Sequence, residues 1–311
     1  MITFGIINCN RLFYLKSCLE SLIISTKGYT NKEFIIVDNC SSEEGTIEYL
    51  REKEDEGVKV IRTEKRDPKN EFARGLNSIC ENSKDSDFIC PLQGDMQFIA
   101  KGWLSDYLSF FKDNLENIGC LSLDAQRGWR NGRDKYSHPD PWFTYNNNRA
   151  PICGAADVIY SRKIIDLIYP WSVDNEAHES NKSKGKAKDS ETKMLNKARQ
   201  VIKQNNLSLK FCQPIIPVSC AITTDLSSGG NARISGDEII GDYWPPKEDE
   251  ISKRHKHSYR YYETLDYLDL KNRYQGSKTP IGKESIAIPV GWKAPLNKDG
   301  HWIKKPVMVK R

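Results

Sequence analysis

Asn10, Asp38 and Asp95 each follow a short apolar run, Phe4–Ile7, Phe34–Val37 and Phe88–Leu92 respectively. If those runs are parallel strands, the three polar side chains face one crevice beyond the carboxyl ends of a sheet, where open α/β sheets bind ligands. Asp38 has a plainer role available, because Asp38-Asn39 before a helix is good turn chemistry. A second group, Lys188-Asp189-Ser190-Glu191-Thr192, opens a helical stretch. Asp189 or Ser190 can simply cap that helix, with Glu191 favoured by its dipole. Trp129 and Trp142 lie in a stretch rich in Asn, Arg, Trp and Pro, from 126 to 151. Their flat apolar faces suit stacking on a ring-shaped ligand, or equally the anchoring of a long loop. His138 stands alone, and His255 and His257 lack a metal-like partner set.

The elements that must position these groups follow from periodicity. Leu12, Leu15, Leu19, Leu22 and Ile23 fall at helical spacing and predict a first helix, closed by Gly28 and Asn31. A second helix runs to Leu50 after the polar loop 38–42, and Val58–Ile61 reads as a third strand. Phe72, Leu76, Ile79 and Cys80 share one face of a further helix before the fourth strand runs into Gln93-Gly94-Asp95. Four such steps predict an α/β fold with a mostly parallel central sheet flanked by helices. Beyond them come a strand at Cys120–Leu123, regular structure at Cys153–Tyr160, helices Arg162–Tyr169 and Ser190–Gln204, and mixed short strands with no clear period from about Phe211.

Bulk properties narrow the classes. With 311 residues, 38% hydrophobic and 29% charged, the chain reads as a soluble protein with a sizeable core. The start at Met1 has too few apolar residues for a signal peptide, and no stretch approaches the ~20 apolar residues of a membrane span. Nine cysteines without a Cys-x-x-Cys pair, several at core positions, imply reduced thiols and a cytoplasmic location. A net charge of +5 does not argue for nucleic acid. Lysines do cluster at Lys182, Lys184, Lys186 and Lys188, and again in Lys253-Arg254-His255-Lys256-His257. Both runs read as solvated loops, or else as phosphate, lipid-headgroup or nucleic-acid contacts.

Five segments carry a resemblance: Phe4-Gly-Ile-Ile-Asn-Cys-Asn-Arg11, Ile35-Ile-Val-Asp-Asn-Cys-Ser-Ser42, Arg74-Gly-Leu-Asn77, Leu92-Gln-Gly-Asp95 and Lys101-Gly-Trp-Leu104. In this order and spacing they resemble family 2 glycosyltransferases of the GT-A fold, over roughly residues 2 to 205. The resemblance implies a catalytic domain over 1–210, with a nucleotide-sugar half (1–105) and an acceptor half (106–210), and a mixed C-terminal extension over 211–311. It implies that Asp38 accepts the N–H of a pyrimidine base, with Asn10, Arg11 and Asn39 beside base and ribose. Arg74 would pair with the diphosphate or stack on the base, and Asn77, Gln93 and Gly94 line the donor. Asp95 stands at the last position of an Asp-x-Asp-type motif that holds Mn²⁺ or Mg²⁺. Positions often acidic in the family are Gln93 and Gly94 here, so the motif is thinned to one carboxylate.

For the transfer step the resemblance makes Asp189 the general base, with Glu191 as its understudy. Acceptor binding falls to Gly154, Ala155, Trp129 and Trp142. The expected activity is an inverting transfer of a sugar, most simply from a UDP-sugar, to a glycan or lipid-linked glycan in polysaccharide biosynthesis. Peripheral membrane contact would come through the basic C-terminal region. The lysine run before Asp189, which contains Gly185, suggests a loop closing over the diphosphate. Two alternatives stand beside this reading. One changes the acceptor to a nucleic-acid base or protein side chain, with Tyr259, Tyr261 and Tyr262 beside the basic run. The other is a nucleotide- or sugar-binding protein without turnover, motivated by Gln93-Gly94.

Overall fold

A computed structural model describes residues 1–67, 70–94, 96–98, 100–123, 136–137, 140–146, 156–173, 190–214, 220–223, 265–268, 271, 292–293 and 307–308. The first half alternates strand and helix: β1 (Ile2–Asn8), α1 (Leu12–Ser25), β2 (Lys32–Asp38), α2 (Thr46–Asp55), β3 (Lys59–Arg62), α3 (Glu71–Glu81) and β4 (Phe88–Gln93). Then come β5 (Met96–Phe98), β6 (Ala100–Lys101), α4 (Trp103–Asp113), β7 (Ile118–Ser122), β8 (Tyr136–Ser137) and β9 (Phe143–Asn146). They are followed by β10 (Val158–Ser161), α5 (Arg162–Ile168), α6 (Ser190–Gln204), β11 (Lys210–Pro214), β12 (Ala221–Thr223) and β13 (Leu265–Asp266). The helix expected over 190–204 is present with the same bounds.

The main sheet has nine strands in the order β3-β2-β1-β4-β10-β7-β11-β9-β8. Its first four are parallel, as the alternation of apolar runs and amphipathic helices predicts. The second half differs from a purely parallel sheet. β10 enters antiparallel between β4 and β7, and β9 is antiparallel to β11. A strand reached by a long excursion can run either way, so no local pattern announces the reversal.

Apolar residues fill both faces of this sheet. On one, Ile2, Phe4 and Ile6 of β1 join Leu15, Leu19 and Leu22 of α1 and Trp103, Tyr107 and Phe111 of α4 in one cluster. On the other, Ile35 and Val37 of β2 meet Leu76 and Ile79 of α3, with Ile164, Ile165 and Ile168 of α5 and Met194 of α6. Two glycines set the height of α3 above β1. A Cβ on Gly5 would lie 2.5 Å from Ile79, and one on Gly75 would lie 3.0 Å from Ile7. Gly75, part of the Arg74–Asn77 segment, is therefore explained by close packing.

Described pieces of the C-terminal hundred residues lie on the first half. β12 pairs with β5 and β13 with β6, so both flank the chain that leaves β4. Tyr267 is buried edge-on to Tyr107, at 6.0 Å between ring centroids. Among the described residues no helix is long and apolar enough to cross a membrane. The eight described cysteines are free thiols, six of them buried.

Candidate active site

Register aligns four strand ends into one row. Asp38 lies opposite Arg62 on β3 and opposite Asn8 on β1, while Ile7 lies opposite Gln93 on β4. With parallel strands about 4.8 Å apart, Asp38 and Gln93 are separated by about 10 Å across the carboxyl edge. That edge is where a twisted parallel half-sheet receives a ligand.

Asp38 is wholly buried, and its carboxylate is the hub of the row. Oδ1 accepts from the Asn8 amide at 2.8 Å and the Ser41 hydroxyl at 2.5 Å. Oδ2 accepts from the Ser41 backbone N–H at 3.0 Å and from Arg62 Nε at 3.4 Å. Four donors match the roughly four acceptor positions of a carboxylate. The Ser41 N–H bond closes the turn that Asp-Asn favours, so the ordinary role is realised. Arg62 makes the longest of the four bonds and is 42% exposed. It is therefore the partner a ligand N–H can most readily replace.

Asn10 is buried at φ 53° and joins the loops after β1 and β2. Its N–H donates to Ser41 Oγ at 2.6 Å, and its side-chain oxygen accepts from the N–H groups of Ser42 and Glu43 at 2.8 and 3.0 Å. Arg11, at φ 61°, begins α1 with its guanidinium 4.7 Å from the Tyr14 ring centroid. The helix receives its anionic cap from outside, since the Leu12 N–H donates to Glu43 Oε2 at 2.8 Å. Burial pushes the Glu43 carboxyl up, against the pull of those backbone donors. Asn39 is buried, its N–H on the Asn8 carbonyl at 2.8 Å.

Arg74 is mostly exposed, with Nε 3.2 Å from Asp67 Oδ2. Beside it, Arg66 grips Glu71 with two nitrogens at 3.0 to 3.1 Å, and burial raises the Glu71 carboxyl's pKa. Asn77 reaches the other way: its amide is bonded at both ends to the backbone of Trp171. Gln93 ends β4 with its N–H on Asp157 Oδ1 at 2.9 Å. Among the described residues, a Cβ built on Gly94 would lie 4.0 Å from the Ile7 carbonyl oxygen.

Trp142 is held by its N–H on Asp140 Oδ1 at 2.7 Å, and packs against the core. Lys271 Nζ lies 5.3 Å from its ring centroid and 2.6 Å from Asp106 Oδ2. Glu191 lies in the first turn of α6, with its side chain outside the described set. Asp95, Gly154, Ala155, Trp129, Asp189, His138 and both lysine-rich runs also lie outside the described residues. Among the described residues no three His, Cys, Asp or Glu side chains gather as a metal cluster.

Sequence reasoning passed over Asn8, Ser41, Arg62, Glu43 and Asp157. The Asp38-x-x-Ser41 spacing was a readable signal for one of them, because an Asx turn bonds a nearby N–H. Arg62 carries no such signal, since strand pairing alone brings it to Asp38.

The parallel β3-β2-β1-β4 half with polar strand ends is the part of the fold that a family model recognises, together with the start of the mixed half. The chain belongs to glycosyl transferase family 2, whose model matches residues 3–165. None of the curated proteins compared with it matches. Among solved structures it resembles TarS of S. aureus at 15% identity and TM-score 0.45, covering 64% of this chain and 33% of that one. The mannosyltransferase PcManGT from Pyrobaculum calidifontis, in complex with GDP-Man and Mn²⁺, gives 15% identity and TM-score 0.45 over 70% of this chain and 57% of its own. GalNAc-T7 with UDP, GalNAc and Mn²⁺ gives 12% and 0.48 over 71% and 43%. The chain thus spans between a third and about three fifths of the length of these structures.

Proposed function

We propose that the protein transfers a sugar, with inversion, from a UDP-sugar to a hydroxyl of a glycan or lipid-linked glycan. The observation that carries this reading is the row of strand ends from Arg62 through Asp38 and Asn8 to Gln93, within the stretch that matches the family. In it the base lies at Asp38, where its N–H replaces Arg62, and Asn10, Arg11 and Asn39 hold the loops around it. The diphosphate lies at Gln93-Gly94-Asp95, with Arg74 as its proposed cationic partner.

Asp95 offers one hard carboxylate oxygen, a donor type suited to Mn²⁺ or Mg²⁺ with phosphate and water completing the shell. When bound, that ion supplies positive charge to the leaving diphosphate. Asp189, ahead of the first turn of α6, takes the acceptor proton, with Glu191 as its substitute. Trp142, Trp129, Gly154 and Ala155 border the acceptor.

The test incubates the protein with a panel of nucleotide sugars and Mn²⁺, with and without crude acceptor extract, and follows nucleoside diphosphate release. UDP release with one sugar, and an inverted anomer in the product by NMR, are expected. No release from any donor would favour a binding protein without turnover. Asp189→Asn should lower kcat by about 10² to 10⁴ with donor KM little changed, the range for loss of a general base.

A further inference from the structure

We infer that Asp157 is a positioning residue that fixes the Gln93-Gly94 turn against the acceptor half, a role that rests on the donor reading of that turn. Asp157 immediately precedes β10, the strand inserted antiparallel between β4 and β7. Because β10 runs backwards, its first residues stand at the same edge as the carboxyl ends of β4 and β7. Three bonds meet on Asp157 there. Its N–H donates to the Pro91 carbonyl at 2.6 Å, and its carbonyl accepts from the Leu123 N–H at 3.3 Å. Its carboxylate Oδ1 accepts from the Gln93 N–H at 2.9 Å.

The residue is 1% exposed and sits at φ 63°, in the left-handed region. Such a backbone is strained at a non-glycine residue and persists where the surroundings impose it. Asp and Asn tolerate it better than other side chains, because a short polar group can bond locally. Here the bond runs to the strand end that leads into the diphosphate segment. A carboxylate acceptor gives the stronger, charge-assisted class of hydrogen bond.

In sequence, Asp157 lies two residues after Ala155, which with Gly154 is assigned to the acceptor in the proposed function, and Gln93 lies two residues before Asp95. One side chain thus joins the chain segments assigned to the two substrates. Asp157 acts through Gln93 and touches no substrate.

Two variants of the full chain separate positioning from simple structural support. Asp157→Gly keeps the left-handed backbone and removes the acceptor, whereas Asp157→Asn keeps both a tolerant backbone and an acceptor oxygen. The readouts are hydrogen exchange at the Gln93 amide, and affinity for UDP with Mn²⁺ by calorimetry. Asp157→Gly should speed Gln93 exchange and weaken UDP about tenfold or more, the scale on which small misplacements act. Asp157→Asn should restore both. Unchanged Gln93 exchange or unchanged UDP affinity in the glycine variant overturns the inference, even if its unfolding midpoint falls. A wild-type protein that binds none of UDP, GDP, TDP and CDP overturns the donor reading instead. In that case Gln93 exchange still tests the Asp157 bond by itself.

Discussion

Asn77 and Trp171 exchange two hydrogen bonds across 94 residues of sequence: Asn77 Nδ2 donates to the Trp171 carbonyl at 2.9 Å, and the Trp171 N–H donates to Asn77 Oδ1 at 2.7 Å. The pair ties α3, which carries Arg74, to the segment after α5. Asn77→Ala leaves two backbone groups of buried Trp171 without partners and should cost about 2–4 kcal/mol, read from the urea midpoint. Asn77→Asp keeps the acceptor and should cost less. Lost UDP binding with an unmoved midpoint would place Asn77 on the donor instead.

The Asp38 hub makes a paired prediction. Asp38→Ala removes the acceptor of four donors, so both stability and UDP affinity should fall. The affinity loss should be about tenfold or more, as for a hydrogen bond to a charged group. Arg62→Ala vacates the bond that the proposed base position would take over, so UDP should bind as well as to wild type or better. Weaker UDP binding in Arg62→Ala would assign the guanidinium itself to the ligand.

Gly5 tests how α3 is seated. Gly5→Ala drives a methyl into Ile79, at 2.5 Å before any adjustment, and should cost about 1–3 kcal/mol as overpacking. Adding Ile79→Ala opens space for it, so the double variant should be more stable than the two single losses summed. Strict additivity in thermal unfolding would mean that α3 moves away without resistance.

Buried thiols should erode stability at alkaline pH. Burial pushes Cys9 and Cys80 up from 9.0 to about 12, and buried Cys90 and Cys212 are also raised. As pH passes 9 the unfolded chain releases these protons while the folded chain keeps them. The unfolded state then binds fewer protons, so stability falls with rising pH until the folded thiols ionise. Urea midpoints between pH 8 and pH 10 should decline, and Cys80→Ala should flatten the decline. Alkylation at pH 8 should be far slower at Cys9 in the folded protein than after unfolding.

What was legible in the sequence was local. The spacing of Leu12, Leu15, Leu19 and Leu22 marks α1, and the apolar runs ending at Asp38 and Gln93 mark strands whose ends must share an edge. The family itself was legible, because five short segments in order are hard to produce by chance. What escaped was long-range: the reversal of β10, the Asn77–Trp171 pair and the Asp157–Gln93 bond. Each depends on residues dozens of positions apart, and none leaves a period in the chain. Asp38 stands out in the motif, while only the register with β3 brings Arg62 to it as a partner.

β12 and β13 border the segment that runs on from Gln93-Gly94, and their residues lie more than a hundred positions later in the chain. A ribosome that has released the first 210 residues has made every part of the parallel half-sheet, yet not the strands that flank 96–101. Completion of that neighbourhood is therefore deferred until residue 266 has emerged. A nascent chain stalled before that point would expose the edges of β5 and β6, together with the Tyr107 face that Tyr267 covers, to whatever chaperone attends synthesis.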